Sequence, residues 1–389
     1  MFSKEAKKRF SFLRVLWGVA LVLFLSLITP PIRMFFFQNL GRWLYIFLMA
    51  FSTATLLTPL MIRIAERTGI IDNPGGRKIH ARPTPLLGGL TIMISFVAAL
   101  AANMILDTKE IALIACGMAM ALVGLIDDWK NIRARYKLVI QVIAVLILIR
   151  YGIILDLFPK DTTWGYGLDA ALTILWIVGL TNAMNFIDGM DGLATGVAAI
   201  ISLFMGLVAF QTGQPFMGWI AIGMLGSCLG FMPYNFRPGT QRQALIFLGD
   251  AGSTFFGFVL SALAIKAEWA DNNPIVSFAT PILIFWLLIY DMAYISLERI
   301  ISGKVKSFRD WIDYVGTDHI HHRLLAIFSD RRKVVFFIFF LCATLGISAI
   351  TLRGATTIVG ILTVLQALLI TVLVSILEYT GRNRKDSGS

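Results

Sequence analysis

The chain has 389 residues, 57% of them hydrophobic and 15% charged, with a mean hydropathy of +0.78; a soluble domain carries about 25% charge. Apolar runs of 17 to 25 residues recur from end to end without alternating, so the composition excludes both an ordinary soluble domain and a β-barrel. The net charge of +11 is read as basic loops at one membrane face; no helix-turn-helix, aromatic RNA motif or zinc-finger spacing supports nucleic acid as a partner.

Hydropathy predicts an all-α polytopic membrane protein with about 11–12 transmembrane helices. The candidate spans are 13–30, 43–62, 86–106, 111–126, 138–155, 169–184, 195–211, 215–233, 253–268, 275–297, 334–351 and 355–378. A single membrane domain over 1–389 is expected. Its motif-bearing core covers about 60–335, an extra retained helix lies within 1–35 and ends at Pro30-Pro31, and 380–389 form a disordered tail. Cys116, Cys228 and Cys342 each sit in an apolar run and read as free buried thiols.

The loops between these spans alternate between two sets. One set holds 27 of the 34 lysines and arginines, which places it and both termini in the cytoplasm by the positive-inside rule. All four histidines and every acidic cluster fall in that same set, so the site is expected at the cytoplasmic face.

Taken in order, the first such loop contains a turn signal, Asp72-Asn-Pro-Gly-Gly76, followed by Arg77, Lys78 and His80. These read either as a plain basic loop or as an anion site for phosphate. Next, Asp127 and Asp128 end a span. Adjacent helical residues face about 100° apart, so one carboxylate can enter a site while the other turns away. Lys130, Arg133, Arg135 and Lys137 beside them serve as anchors or bind phosphate. The central stretch, residues 181–196, carries Asn182, Asn185, Asp188 and Asp191 with Gly189, Gly192 and Gly196 and no lysine or arginine. Mg²⁺ takes one or two protein oxygens and completes its octahedron with phosphate and water, which suits this loop; calcium-loop spacing is absent. Asp250 then lies between glycines at the entry to a span, with Ser253 expected to cap that helix. Finally, Asp318-His-Ile-His-His-Arg323 has no zinc spacing, and imidazoles beside arginines suit a pyrophosphate better. A secondary transporter is disfavoured, because its ionisable groups would lie mid-membrane, where only Asp291 does.

LIDDWKN, NAMNFIDGMDGLATG, FLGDAGS and DHIHHRLL, in this order and spacing, resemble the polyprenyl-phosphate N-acetylhexosamine-1-phosphate transferases. RKIHARPTPLLGG is similar to that family's first cytoplasmic motif, and the match runs over about residues 60–330. The His-Ile-His-His-Arg pattern resembles the branch that transfers N-acetylglucosamine-1-phosphate to undecaprenyl phosphate. The alternative branch, which transfers phospho-N-acetylmuramoyl-pentapeptide, has three consecutive histidines. Residues 307–322 depart from the family in being longer than its usual linker before the histidines.

The resemblance implies a bacterial inner-membrane enzyme that joins a UDP-N-acetylhexosamine to polyprenyl phosphate and releases UMP. That is the first membrane step of a cell-surface polysaccharide such as O-antigen or teichoic acid, with a homodimer as a further expectation. It further implies that Asn185 and Asp250 hold Mg²⁺, with Mn²⁺ as the alternative. Asp191 and the Gly189 backbone, with Phe247 or Leu248 nearby, would recognise uridine. Lys137 and Asn182 would contact substrate, as would Arg77, Lys78 and His80. His319, His321, His322 and Arg323 would hold the pyrophosphate or the sugar. Asp127 and Asp128 are the implied candidates for the base, and Asp188 joins the same acidic cluster. Direct displacement and an acyl-phosphate route both remain open.

Overall fold

A computed structural model describes residues 4–74, 82–103, 107–159, 161–236, 243–269, 274–307, 310–311, 314, 316, 318–352 and 354–386. Every expected apolar segment is helical. In chain order the helices are α1 (Lys4–Leu27), α2 (Pro30–Phe35, continued by a π-helical turn over Phe36–Leu40), α3 (Arg42–Thr68), α4 (Gly88–Asn103), α5 (Thr108–Lys130), α6 (Ala134–Arg150), α7 (Thr163–Ile187), α8 (Leu193–Gln211), α9 (Pro215–Asn235), α10 (Gly249–Lys266), α11 (Pro274–Ile284), α12 (Trp286–Ile301), α13 (Ile320–Phe328), α14 (Arg331–Ile350) and α15 (Thr357–Asp386). Among the described residues the strands are Ile71–Asp72 and Thr84–Pro85, an antiparallel pair with Ile71 opposite Pro85 that closes the first basic loop.

Among the described residues seven helices are long and apolar enough to cross a membrane: α3, α5, α7, α8, α9, α14 and the Thr357–Glu378 part of α15. The α1/α2 pair, bent by 83°, and the α11/α12 pair, bent by 76°, raise the number to nine. The chain is thus a multi-pass membrane protein, with seven to nine spans by these criteria where hydropathy alone suggested eleven or twelve. Length and composition account for the difference. Helices α4 and α6 have 16 and 17 described residues, short of the 18 that a span requires by these criteria, and α10, with 18, is made less apolar by Asp250, Lys266 and its glycines, serines and threonine.

Helix α10 is the hub. Apart from Asp250 and its last two residues it is buried throughout, packed against α4, α5, α7 and α8. The outer helices turn apolar side chains outward, including Leu175, Phe340 and Leu373, each about two-thirds exposed, as a lipid-facing surface requires. All three cysteines are free and buried.

Candidate active site

The site is built where the end of α5 meets the start of α10. Asp127 lies in the last turn of α5 and is buried. Asn131 follows in a left-handed conformation (φ 50°) and reverses the chain. The Ile132 N–H consequently donates to Asp127 Oδ1 at 2.5 Å. Lys137, in the first turn of α6, swings back to form ion pairs with Asp127 and with Asp250 Oδ2, the latter at 3.0 Å. Asp250 Oδ1 accepts from Asn185 Nδ2 at 2.9 Å, and the same amide nitrogen donates to Ser253 Oγ at 2.9 Å. Three motifs spread over more than a hundred residues are thereby joined through Lys137 and Asp250.

Asp128 faces differently, as adjacent helical residues must. Its Oδ1 accepts from the Asp250 N–H at 2.9 Å and its Oδ2 from the Ala251 N–H at 3.2 Å. It therefore caps the N-terminus of α10, where unpaired N–H groups favour an anion. This corrects the expectation that Ser253 caps the helix. Helix α10 begins four residues earlier, and Ser253 is an interior residue donating back to Gly249 O at 3.2 Å. Gly249 is obligatory for two reasons: its φ is +74°, and a Cβ there would lie 2.5 Å from Asp128 Oδ2. With both oxygens on backbone amides, Asp128 holds in place the helix end that carries Asp250. Of the two base candidates, Asp127 is the one whose carboxylate meets the lysine.

The turn between α7 and α8 supplies the opposite wall. Asp188 ends α7, and Gly192 opens α8 in the left-handed region (φ 75°). Asp191 Oδ2 accepts from the Ala244 N–H at 2.7 Å, tying the turn to the segment that leads into Phe247. Recessed among protein atoms and facing Asp250 and Asp191, the Asp188 carboxyl is pushed well above the usual carboxylate range, by desolvation first and by those charges second.

The third wall comes from α13. His321 is 1% exposed, and among the described residues neither ring nitrogen has a hydrogen-bond partner. Its Nε2 stands where a Cβ on residue 189 would be, so only glycine lets the turn approach it. Burial, followed by the charges of His322, His319 and Arg323, holds its pKa well below 6.5. His322 lies against it, ring centroids 4.2 Å apart, and faces the cavity.

These parts enclose a cavity of about 430 Å³. Of the expected site residues, Asp127, Asp128, Asp188, Gly189, Asp191, Phe247, Asp250 and His322 line it, as does Leu248. Asn185 and Lys137 join it through Asp250, and His321 stands behind Gly189. Three expected substrate contacts are placed elsewhere. Asn182 donates to Gln141 Oε1 and to Val178 O, both at 2.8 Å, inside the helical packing. His319 Nδ1 meets Asp291 Oδ2 at 2.8 Å. Arg323, 3% exposed, donates to Glu378 at 2.9 Å, to Asp291 at 3.3 Å and to the Asp318 carbonyl at 2.6 Å. A buried guanidinium or polar ring needs such partners, and these residues have found them away from the cavity. Arg77, Lys78 and His80 lie outside the described residues.

Sequence reading missed Asn131 and Arg331 on the cavity wall, and Glu378 and Gln141 beneath it. An acid in the last apolar run, Glu378, was the legible signal; Arg331 was hidden within a basic loop.

The description of glycosyl transferase family 4 matches residues 110–268. A Bacillus subtilis protein described as a probable undecaprenyl-phosphate N-acetylglucosaminyl 1-phosphate transferase is 32% identical over 327 residues, 82% of this chain and 87% of its own length. A Mycobacterium tuberculosis decaprenyl-phosphate N-acetylglucosaminephosphotransferase is 30% identical, over 71% of this chain and 74% of its own. An Escherichia coli undecaprenyl-phosphate alpha-N-acetylglucosaminyl 1-phosphate transferase is 24% identical, over 73% of this chain and 77% of its own. With its shared motifs gathered on one cavity and relatives matched over most of their length, the chain belongs to glycosyl transferase family 4, beside these polyprenyl-phosphate N-acetylglucosamine-1-phosphate transferases.

Proposed function

We propose that the protein transfers N-acetylglucosamine-1-phosphate from a UDP-sugar to polyprenyl phosphate and releases UMP, at the cytoplasmic face of a bacterial inner membrane. The observation that carries this reading is the cavity itself. Six aspartates line it, and two of them, Asp127 and Asp250, are joined by Lys137. The positive-inside count supports the orientation, and the N-acetylglucosaminyl 1-phosphate transferases among its relatives support the N-acetylglucosamine donor over the muramoyl-pentapeptide.

The chemistry follows from the residues present. A lipid phosphate has a second pKa near 6 and is largely ionised at pH 7. It attacks the sugar-proximal phosphorus of the donor; the bond from that phosphorus to the bridging oxygen breaks, and UMP leaves with the electron pair. Lys137 holds the incoming phosphate, and Asp127 takes any residual proton. Both Asp127 oxygens already carry hydrogen bonds, which dulls it as a nucleophile and favours direct displacement over an acyl-phosphate. The Asp188–Asp191 turn and Phe247 receive the uridine end, and His322 faces the phosphates.

The donor set fits Mg²⁺. It consists of hard oxygens; the hydrogen bonds of Asn185 use its nitrogen, leaving its carbonyl for a cation. Among the described residues no group of three carboxylates, imidazoles or thiols forms a preset metal cage, and Mg²⁺ needs only one or two protein oxygens beside substrate phosphate. Bound at Asp250 and Asn185, it would supply charge neutralisation to the diphosphate.

The test is turnover by the purified protein, in detergent with undecaprenyl phosphate, of a panel of radiolabelled UDP-sugars. Expected are UMP release from UDP-N-acetylglucosamine, its loss in EDTA and its return with Mg²⁺ or Mn²⁺. Absence of UMP with every UDP-N-acetylhexosamine, or a full rate in chelator, overturns the reading.

A further inference from the structure

One cavity-lining cation has no place in the scheme above. Arg331 opens α14 and lies on the cavity wall with His322. The other basic groups around it are already engaged. Lys137 is shared between two carboxylates, and Arg323 is held in its buried ion pairs. The next residue, Arg332, pairs with Asp330 at 3.2 Å, and the Asp330 side chain also caps the helix through the Arg332 N–H at 2.9 Å. Among the described residues Arg331 forms no ion pair. It thus presents an unneutralised guanidinium to a chamber whose remaining charged wall is acidic.

An acidic chamber repels the very substrate the reaction requires. A nucleoside diphosphate sugar carries about two negative charges, and a divalent cation on one side of it offsets only part of the repulsion from a lining that holds six aspartates. A guanidinium is permanently charged and presents five N–H donors in a planar fork that matches phosphate oxygens bidentately. We infer that Arg331 is a donor-binding residue that grips the diphosphate of the nucleotide sugar from the α14 side of the cavity. This rests on the transfer reading. It assigns the residue to the donor rather than to the lipid phosphate, which that reading gives to Lys137 at the α5–α6 corner.

Arg331→Ala, Arg331→Lys and Arg332→Ala separate the possibilities. Loss of a charge-assisted contact is worth roughly 10- to 100-fold in affinity. Arg331→Ala is expected to raise KM for the UDP-sugar by that factor, to weaken UDP binding measured by calorimetry in step, and to leave KM for polyprenyl phosphate within about twofold. Arg331→Lys recovers part of the loss, since a point charge replaces the fork. Arg332→Ala tracks the parent protein. Unchanged donor KM and UDP binding in Arg331→Ala overturn the inference, as does an equal loss in Arg332→Ala, which would assign the effect to the helix start. A parent protein that binds UDP but releases no UMP overturns the transfer reading alone, and the calorimetric comparison still decides Arg331.

Discussion

Two clusters of charge lie close together in this molecule, and they are balanced differently. Behind the cavity, Asp291, Asp318 and Glu378 meet Arg299, Arg323 and His319. Arg299 grips Asp318 through two N–H groups, Nε and Nη2, at 2.8 Å each, and Arg323 spans Asp291 and Glu378. Three acids face three basic groups, and the bonds close on themselves. In the cavity six aspartates form the lining with His322 and Arg331, and Lys137 pairs with two of them, Asp127 and Asp250. The first cluster pairs its charges internally and ties α12, α13 and α15 together. The second holds more carboxylates than basic groups, and the proposed transfer reaction would need a cation to balance them. Burial of charge alone does not mark function; unbalanced charge facing an opening does.

Breaking the open cluster is expected to have the largest effect. Asp250 touches Lys137 and Asn185 and sits on the helix end that Asp128 caps, so Asp250→Ala should lower kcat/KM by at least about 10³-fold, measured as UMP release. The unfolding temperature should stay close to that of the parent, because the mutation removes one of several like charges. Turnover within tenfold of the parent would remove Asp250 from the site. The closed cluster should respond the other way. Arg323→Ala leaves Asp291 and Glu378 buried without their cation, a loss of about 3–5 kcal/mol. Expected are a fall in the yield of folded protein and in thermal stability, with donor KM unchanged in what survives. A raised donor KM at normal stability would return Arg323 to the substrate and erase the contrast.

The helical segments were legible because each is a long apolar run, and the acidic turns were legible because carboxylates beside such runs demand a reason. Which carboxylate does what was not legible. Asp127 and Asp128 are neighbours of the same chemistry, and only the position of α10 decides that one meets a lysine and the other two backbone amides. The basic residues misled for a related reason. Sequence spacing placed Arg323 with the histidines, but its partner Glu378 lies 55 residues onward in an apolar helix. Arg331, which does reach the cavity, had only the appearance of a loop charge. The helix bends, at Pro30 and between Ile284 and Trp286, were not legible, because a hydropathy window averages across a break it cannot see.

A smaller effect tests His321, the residue between the two clusters. Its folded pKa is depressed below 6.5, so the unfolded chain binds a proton that the folded chain refuses. Its contribution to stability is intact above pH 6.5 and is lost as pH falls from there toward the folded value, at most about 1.4 kcal/mol per pH unit. Thermal unfolding of the parent should therefore steepen below pH 6.5. His321→Gln, which cannot take up a proton, should flatten that limb. An identical slope in both proteins would show that His321 titrates normally and that its ring is not sealed behind Gly189.

The smallest effect separates the paired aspartates. If Asp128 serves as the cap of α10, an asparagine retains one acceptor oxygen for the Asp250 N–H, and Asp128→Asn should keep stability near the parent and most of the turnover. Asp128→Ala leaves both amides unpaired, which costs about 0.5–2 kcal/mol and lets Asp250 drift. Asp127→Asn should be far more damaging to turnover than Asp128→Asn, because Asp127 is the carboxylate that faces Lys137. Equal loss in the two asparagine variants would mean that the charge of Asp128, and not its hydrogen bonds, is what the reaction uses, and the cavity would then hold no purely structural acid.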